Sequence, residues 1–301
     1  NFSAIPVAGI TGSAGNSNSQ LNNPQGVFVP PNSPYFYIAD TDNHRIQRYQ
    51  LGNLSQSTTV AGGQGGGSNS SQFRFPVGLW VDNLQNMYVT DVLNFRVQYF
   101  PGVNSGNGTG TTVASGGLGY CYGLYVDRNG SIYVVDQTYN RIMKYSPSVS
   151  TTSDIQQVVN AQINQSRGLY VNENDGNSIY IADTLNHRIQ KFVNGNDLTI
   201  GTTVAGVTGQ PGSNANQLAN PSAVIIDKQG NLYIADTSNS RIQKWSPNTF
   251  FGITVAGSQG GIAGTTAVDL NQPRALALNE TGLLLYVADS GNDCVKMFLL
   301  N

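Results

Sequence analysis

Ile38 to Tyr49 reads IADTDNHRIQRY, and the same pattern returns as VTDVLNFRVQYF from Val89, VVDQTYNRIMKY from Val134, IADTLNHRIQKF from Ile181, IADTSNSRIQKW from Ile234 and VADSGNDCVKMF from Val287. In each copy an apolar run closes on an aspartate: Asp40, Asp91, Asp136, Asp183, Asp236 and Asp289. Five residues later stands Arg45, Arg96, Arg141, Arg188 or Arg241, replaced in the last copy by Cys294. Successive aspartates are 51, 45, 47, 53 and 53 residues apart. Periods of that length, filled with short alternating strands and no helical pattern, predict an all-β, six-bladed β-propeller with four-stranded antiparallel blades.

The punctuation of the chain supplies the strands of each blade. A first, inner strand begins after Pro or Gly (GVFV at 26–29, GLWVD at 78–82, GLYVD at 123–127, GLYVN at 168–172, AVIID at 223–227, ALALN at 275–279), the second ends on the Asp, the third starts at the Arg, and a TVAG-like segment forms the fourth. One domain over residues 1–301 follows, with blades at about 21–63, 73–116, 118–160, 163–207, 217–258 and 269–301 plus 2–9. The last assignment rests on counting: Ile5-Pro6-Val7-Ala8-Gly9 matches a fourth strand yet precedes every inner strand, while the sixth unit stops after its third. The N-terminal strand is therefore expected to complete the last blade, closing the ring and removing both open edges.

At 301 residues the chain is long enough for a large core, and only 11% of it is charged, with a net charge of −2. That balance gives no general attraction to nucleic acid or an anionic membrane, and no apolar run is long enough for membrane insertion. Cys121 and Cys294 fall in units that face each other across a six-membered ring, too far apart for a disulfide, and are expected to be separate buried thiols.

The repeated Asp and Arg have a structural explanation, because a catalytic group is not needed six times over. The turn between second and third strands is expected to bring them into a bidentate pair, with Asn43, Asn94, Asn186, Asn239 and Asn292 taking up the left-handed turn geometry. The third unit shifts its Asn to Asn140. On this reading Asp289 lacks its partner and the sixth blade is the weak one. His44 and His187 lie three blades apart, so no shared metal site is expected and no cofactor is indicated. The glycine-rich stretch 62–67 lacks the Lys-Ser/Thr and helix of a phosphate loop and reads as a connector.

With the repeat, the Tyr-(Val/Ile)-Ala-Asp strand and the Asn-x-Arg-(Ile/Val) segment in hand, the chain resembles the NHL repeat family over essentially its full length, best at Asn43-His44-Arg45 and Asn186-His187-Arg188. Tyr88-Val89-Thr90-Asp91 also looks like the Tyr-Trp-Thr-Asp propellers of lipoprotein receptors, themselves six-bladed. The NHL resemblance implies the propeller and leaves several roles open: RNA binding in translational repressors, peptide-amidating lyase activity, extracellular sensing, and adhesion. The lyases use three His ligands for zinc, whereas this chain has two His in all. The RNA-binding members present a positive top surface, whereas half of the ten Arg here belong to the repeat motif. The expectation is a non-enzymatic protein with no nucleic-acid partner.

Seven Asn-x-Ser/Thr acceptors (Asn1, Asn53, Asn69, Asn107, Asn129, Asn164 and Asn279) point to a secreted, extracellular glycoprotein. Asn1, Asn53, Asn107, Asn129 and Asn279 fall on the face formed by the turns between first and second and between third and fourth strands, against Asn69 and Asn164 on the opposite, top face, which is the expected docking surface. There Gln25, Tyr120, Tyr122, Arg167 and Arg274 are expected around a notch left by short crossing loops, a composition suited to a protein, peptide or glycan partner. Self-association into a polymer through exchange of the N-terminal strand is the alternative, and a channel-centred lyase or lactonase-like activity a further one.

Overall fold

The computed structural model describes residues 3–103, 108–146, 155–159, 162–193 and 199–300. They form six four-stranded antiparallel sheets. The inner strands are Pro24–Phe28, Pro76–Val81, Cys121–Val126, Leu169–Asn172, Ala223–Ile226 and Pro273–Leu278. Each touches the next, and the sixth touches the first, so the sheets stand as blades around a closed ring. The core is divided accordingly into apolar layers between neighbouring blades. One such layer joins Leu21 and Phe36 of blade one to Tyr286 and Val295 of blade six, with Val7 of the N-terminal strand between them.

That strand, Ser3–Gly9, closes the ring as the sequence predicts. It pairs antiparallel with Cys294–Leu299, from Ser3 opposite Leu299 to Gly9 opposite Cys294, with a bulge between Pro6 and Ala8. It is the outermost strand of its sheet, where a proline's missing N–H costs no ladder bond.

The repeated Asp-turn-Arg unit fastens each blade to the loop that enters it. The carboxylates are wholly buried, and in all six one oxygen accepts a backbone N–H from the entering loop: Asn22, Arg74, Gly119, Asn164, Ala219 or Asn271. The expected bidentate pair does not form, because the arginine gives the carboxylate only its Nε and turns its terminal nitrogens to the carbonyls of the entering loop. Arg45 Nε donates to the other oxygen of Asp40 at 2.6 Å, and its terminal nitrogens donate to the carbonyls of Asn16, Ser17 and Gln20. The turn Asn is also placed differently from expectation. Asn43 Nδ2 bridges Asp40 to the Gly15 carbonyl, and the left-handed residue is the next one, His44 at φ 55°. Unit three carries Asn140 at that left-handed position, φ 50°, which explains its shifted Asn.

Blade six is not the unpartnered one. Lys296 Nζ lies 2.8 Å from Asp289 Oδ2 and donates to the carbonyls of Thr266 and Asp269. Those carbonyls are the counterparts of Ser17 and Gln20, so a lysine two residues further along the strand, on the same face, reaches the space that arginine fills elsewhere.

Blades are also tied to one another through the residue after the Asp. Thr41 Oγ1 donates to the Pro76 carbonyl of blade two at 2.9 Å, Thr184 to Pro221 and Thr237 to Pro273, while Ser290 of blade six donates to Pro24 of blade one across the closure.

Candidate functional site

The central channel is built from equivalent positions of the six inner strands. The residue that opens the tier nearest the axis is Gly26, Gly78, Gly123 and Gly168 in blades one to four, and Ala223 and Ala275 in blades five and six. Glycine is required where the strands crowd: a Cβ on Gly78 would lie 2.4 Å from the Tyr122 carbonyl of the next blade. Two residues further along come Phe28, Trp80, Tyr125 and Tyr170, then Ile225 and Ala277. The aromatic four form a continuous arc, with ring centroids 4.7 Å apart for Phe28 and Trp80, 4.6 Å for Trp80 and Tyr125, and 5.4 Å for Tyr125 and Tyr170. One wall of the channel is therefore aromatic and the other aliphatic. The arc was hidden in the sequence among residues that read simply as apolar strand.

The residue preceding each glycine or alanine forms the mouth: Gln25, Val77, Tyr122, Arg167, Ser222 and Arg274. Four of the five residues expected at the top face thus converge here. Arg167 stacks on Tyr122, its guanidinium carbon 4.6 Å from the ring centre, and reaches across the axis to donate to Gln25 Oε1 at 3.5 Å. Arg274 donates to Gln272 Oε1 at 3.4 Å. Burial, then the charge of Arg167, pull the Arg274 guanidinium down to about 10. Tyr120 is not part of this group: half-exposed in the crossing loop, it lies against Phe95, ring centroids 5.6 Å apart.

Arg167 and Arg274 line two spaces. Below them runs the channel, about 820 Å³, and above them a depression of about 530 Å³ bordered by Gln137, Gln165, Asn220 and Ser238 among others. The two arginines form the neck between a polar vestibule and an aromatic-walled channel.

At the other end of the channel, three aspartates are used by the turns that carry them. Asp82 accepts the N–H groups of Leu84 and Asn86, Asp127 those of Asn129 and Ser131, and Asp227 those of Gln229 and Asn231. Glu173 accepts from Tyr125 OH at 3.0 Å and from Arg128 N. Among the described residues no three of His, Cys, Asp and Glu are grouped so as to hold a metal ion. His44 Nδ1 accepts from Phe75 N and His187 Nδ1 from Asn220 N, so each imidazole fastens the start of the following blade. Burial lowers the His187 pKa.

Cys121 and Cys294 are separate, fully buried thiols, pushed up to about 12 and about 11, chiefly by burial. Of the acceptor asparagines, Asn69, Asn129 and Asn164 are exposed. Asn279 is half-buried, its amide bonded to Thr281 and its oxygen accepting from Leu283 and Leu284. Asn1 and Asn107 lie outside the described residues, as does the side chain of Asn53.

The NHL repeat model matches residues 218–245, which hold the inner, second and third strands of blade five. The human NHL repeat-containing protein 2 is 25% identical over 93% of this chain, which spans 39% of that protein's length. Among solved structures, an auxiliary nutrient binding protein from Bacteroides ovatus has a TM-score of 0.75 at 15% identity, over 99% of this chain and 76% of its own. A gluconolactonase from Xanthomonas campestris has a TM-score of 0.72 at 13% identity, over 100% of this chain and 90% of its own. At such identities these two likenesses speak for the fold alone. A closed ring of six four-stranded blades, each carrying the same Asp-turn unit, makes this chain a six-bladed β-propeller whose fifth blade matches the NHL repeat.

Proposed function

We propose that this propeller is a non-enzymatic binding module that works outside the cell and receives a protein, peptide or glycan partner on its top face, at the channel mouth. The observation that carries this reading is the convergence of Gln25, Tyr122, Arg167 and Arg274 at one open neck. Aromatic and arginine side chains at a concave site are the composition of a binding hot spot. The channel-end aspartates accept hydrogen bonds from their own turns, which favours recognition over acid–base chemistry. The exposed acceptors Asn69, Asn129 and Asn164 support an extracellular setting.

Peptide and glycan arrays probed with the wild type, Tyr122→Ala and Lys228→Ala test the placement, Lys228 lying at the far end of the channel. Ligands lost by the Tyr122 variant, kept by the Lys228 variant and recovered with unchanged mass are expected. Retention by the first with loss by the second, or recovery of converted products, overturns the reading. For the compartment, protein from a secretory host should lose glycan mass on enzymatic deglycosylation, and an unchanged mass argues against it.

A further inference from the structure

We propose that Arg167 and Arg274 together form a carboxylate receptor, which holds the acidic end of the partner at the neck between vestibule and channel. This inference rests on the binding-module reading and specifies the chemistry that the module selects. The five repeat-motif arginines each have a buried aspartate within 3.0 Å. Arg167 and Arg274 face one another's charge instead, and among the described residues neither is paired with a carboxylate; their side-chain acceptors are the neutral amides of Gln25 and Gln272, at 3.5 and 3.4 Å. Hydrogen bonds of that length are weak, and an anion displaces them at little cost. Two like charges in a partly buried neck are unfavourable until a negative group lies between them.

Geometry narrows the anion. The Tyr122 ring beneath its guanidinium carbon restrains Arg167, and a planar fork so held suits the flat, two-oxygen carboxylate. Phosphate sites commonly add backbone N–H groups at a helix N-terminus, whereas the helical segments of the described residues are short 3-10 turns. The space above the pair is bordered by the neutral amide and hydroxyl groups of Gln137, Gln165, Asn220 and Ser238, which can bond peptide groups or sugar hydroxyls. A peptide C-terminus and a terminal uronic acid both present a carboxylate on such a body.

Calorimetric titration of the full chain with a short Gly/Ser peptide ending in Leu, as free acid and as C-terminal amide, with digalacturonate and its methyl ester, and with inorganic phosphate, tests the proposal. The free acid of at least one pair is expected to bind about tenfold or more tighter than its neutral form, a difference of about 1.4 kcal/mol. Arg167→Gln and Arg274→Gln should each abolish that preference. The pair that shows it identifies peptide or sugar as the source. Should a Gln variant not fold, Arg167→Lys keeps the charge without the planar fork and should show a reduced preference. Equal binding of acid and neutral forms, tighter binding of phosphate than of either acid, or a preference that survives both Gln variants overturns the proposal. Equal binding that Tyr122→Ala still abolishes would leave the module standing without its carboxylate selectivity, and no binding by any probe would remove both.

Discussion

Lys296 Nζ and Asp289 Oδ2 form a 2.8 Å ion pair with both side chains fully buried, where the other five blades use an arginine two residues earlier in the strand. The site has exchanged its partners: Cys294 stands in the Arg position, and Lys296 in the position held by Gln47, Gln98, Gln190 and Gln243 in four of the other blades. Removing one member of a buried pair leaves an uncompensated charge, so Lys296→Gln should cost about 3–5 kcal/mol in chemical denaturation. The double variant Cys294→Arg/Lys296→Gln rebuilds the arrangement of the other blades and should recover most of that loss. A double variant no more stable than Lys296→Gln would show that the two positions are not exchanging roles.

Deleting residues 1–9 should destabilise the ring as a unit. Burial of Val7 alone contributes about 1.5–3 kcal/mol, and the deletion also bares the edge of Cys294–Leu299. Size-exclusion chromatography and thermal denaturation should show self-association and a lower melting temperature. A monomer that melts like the wild type would mean that the closing strand is dispensable. A wild type that is polymeric, with monomers released by the deletion, would favour exchange of this strand between chains.

The inner ring makes an opposed pair of expectations. Gly78→Ala puts a Cβ against the Tyr122 carbonyl and should cost about 1–3 kcal/mol by overpacking. Ala223→Gly, at the equivalent position of blade five, relieves no crowding and should cost about 1 kcal/mol or less through chain entropy. Equal effects in urea denaturation would contradict the asymmetry of the ring.

Stability should fall under mild acid because of His187. Burial depresses its folded pKa below the ordinary 6.5, and its Nδ1 accepts the Asn220 N–H, which a protonated ring cannot do. A depressed value means that the contribution is present above 6.5 and is lost as pH falls through the folded pKa. His187→Asn, with a residue that tolerates the left-handed φ of 57°, should be less sensitive than the wild type between neutral pH and about pH 5. An unchanged pH profile would place the acid sensitivity elsewhere.

The ring and its closure were readable because six aspartates mark the same strand end and because a fourth strand can be recognised wherever it stands in the chain. Gln25, Tyr122, Arg167 and Arg274 were readable because they precede the inner-strand Gly or Ala, a register that puts them all at one end of the channel. Tyr120 is close in sequence to Tyr122 but belongs to the crossing loop, whose course follows its contact with Phe95 and not strand alternation. Lys296 was hidden because it stands outside the Arg position, whereas a strand offers the same face again two residues later. The Thr41, Thr184 and Thr237 links to neighbouring blades were missed for another reason. Their acceptors are backbone carbonyls of Pro76, Pro221 and Pro273, which leave no mark on side-chain spacing.

Whether the neck holds positive charge in wait for an acidic partner is decided by paired melting curves of the wild type and Arg274→Met, with and without a saturating free-acid ligand. Methionine fills the arginine stem without the charge, so the variant should melt above the unliganded wild type, by the equivalent of about 1 kcal/mol or more, and should not respond to the ligand. A variant that melts below the wild type and is still stabilised by the acid would contradict the claim.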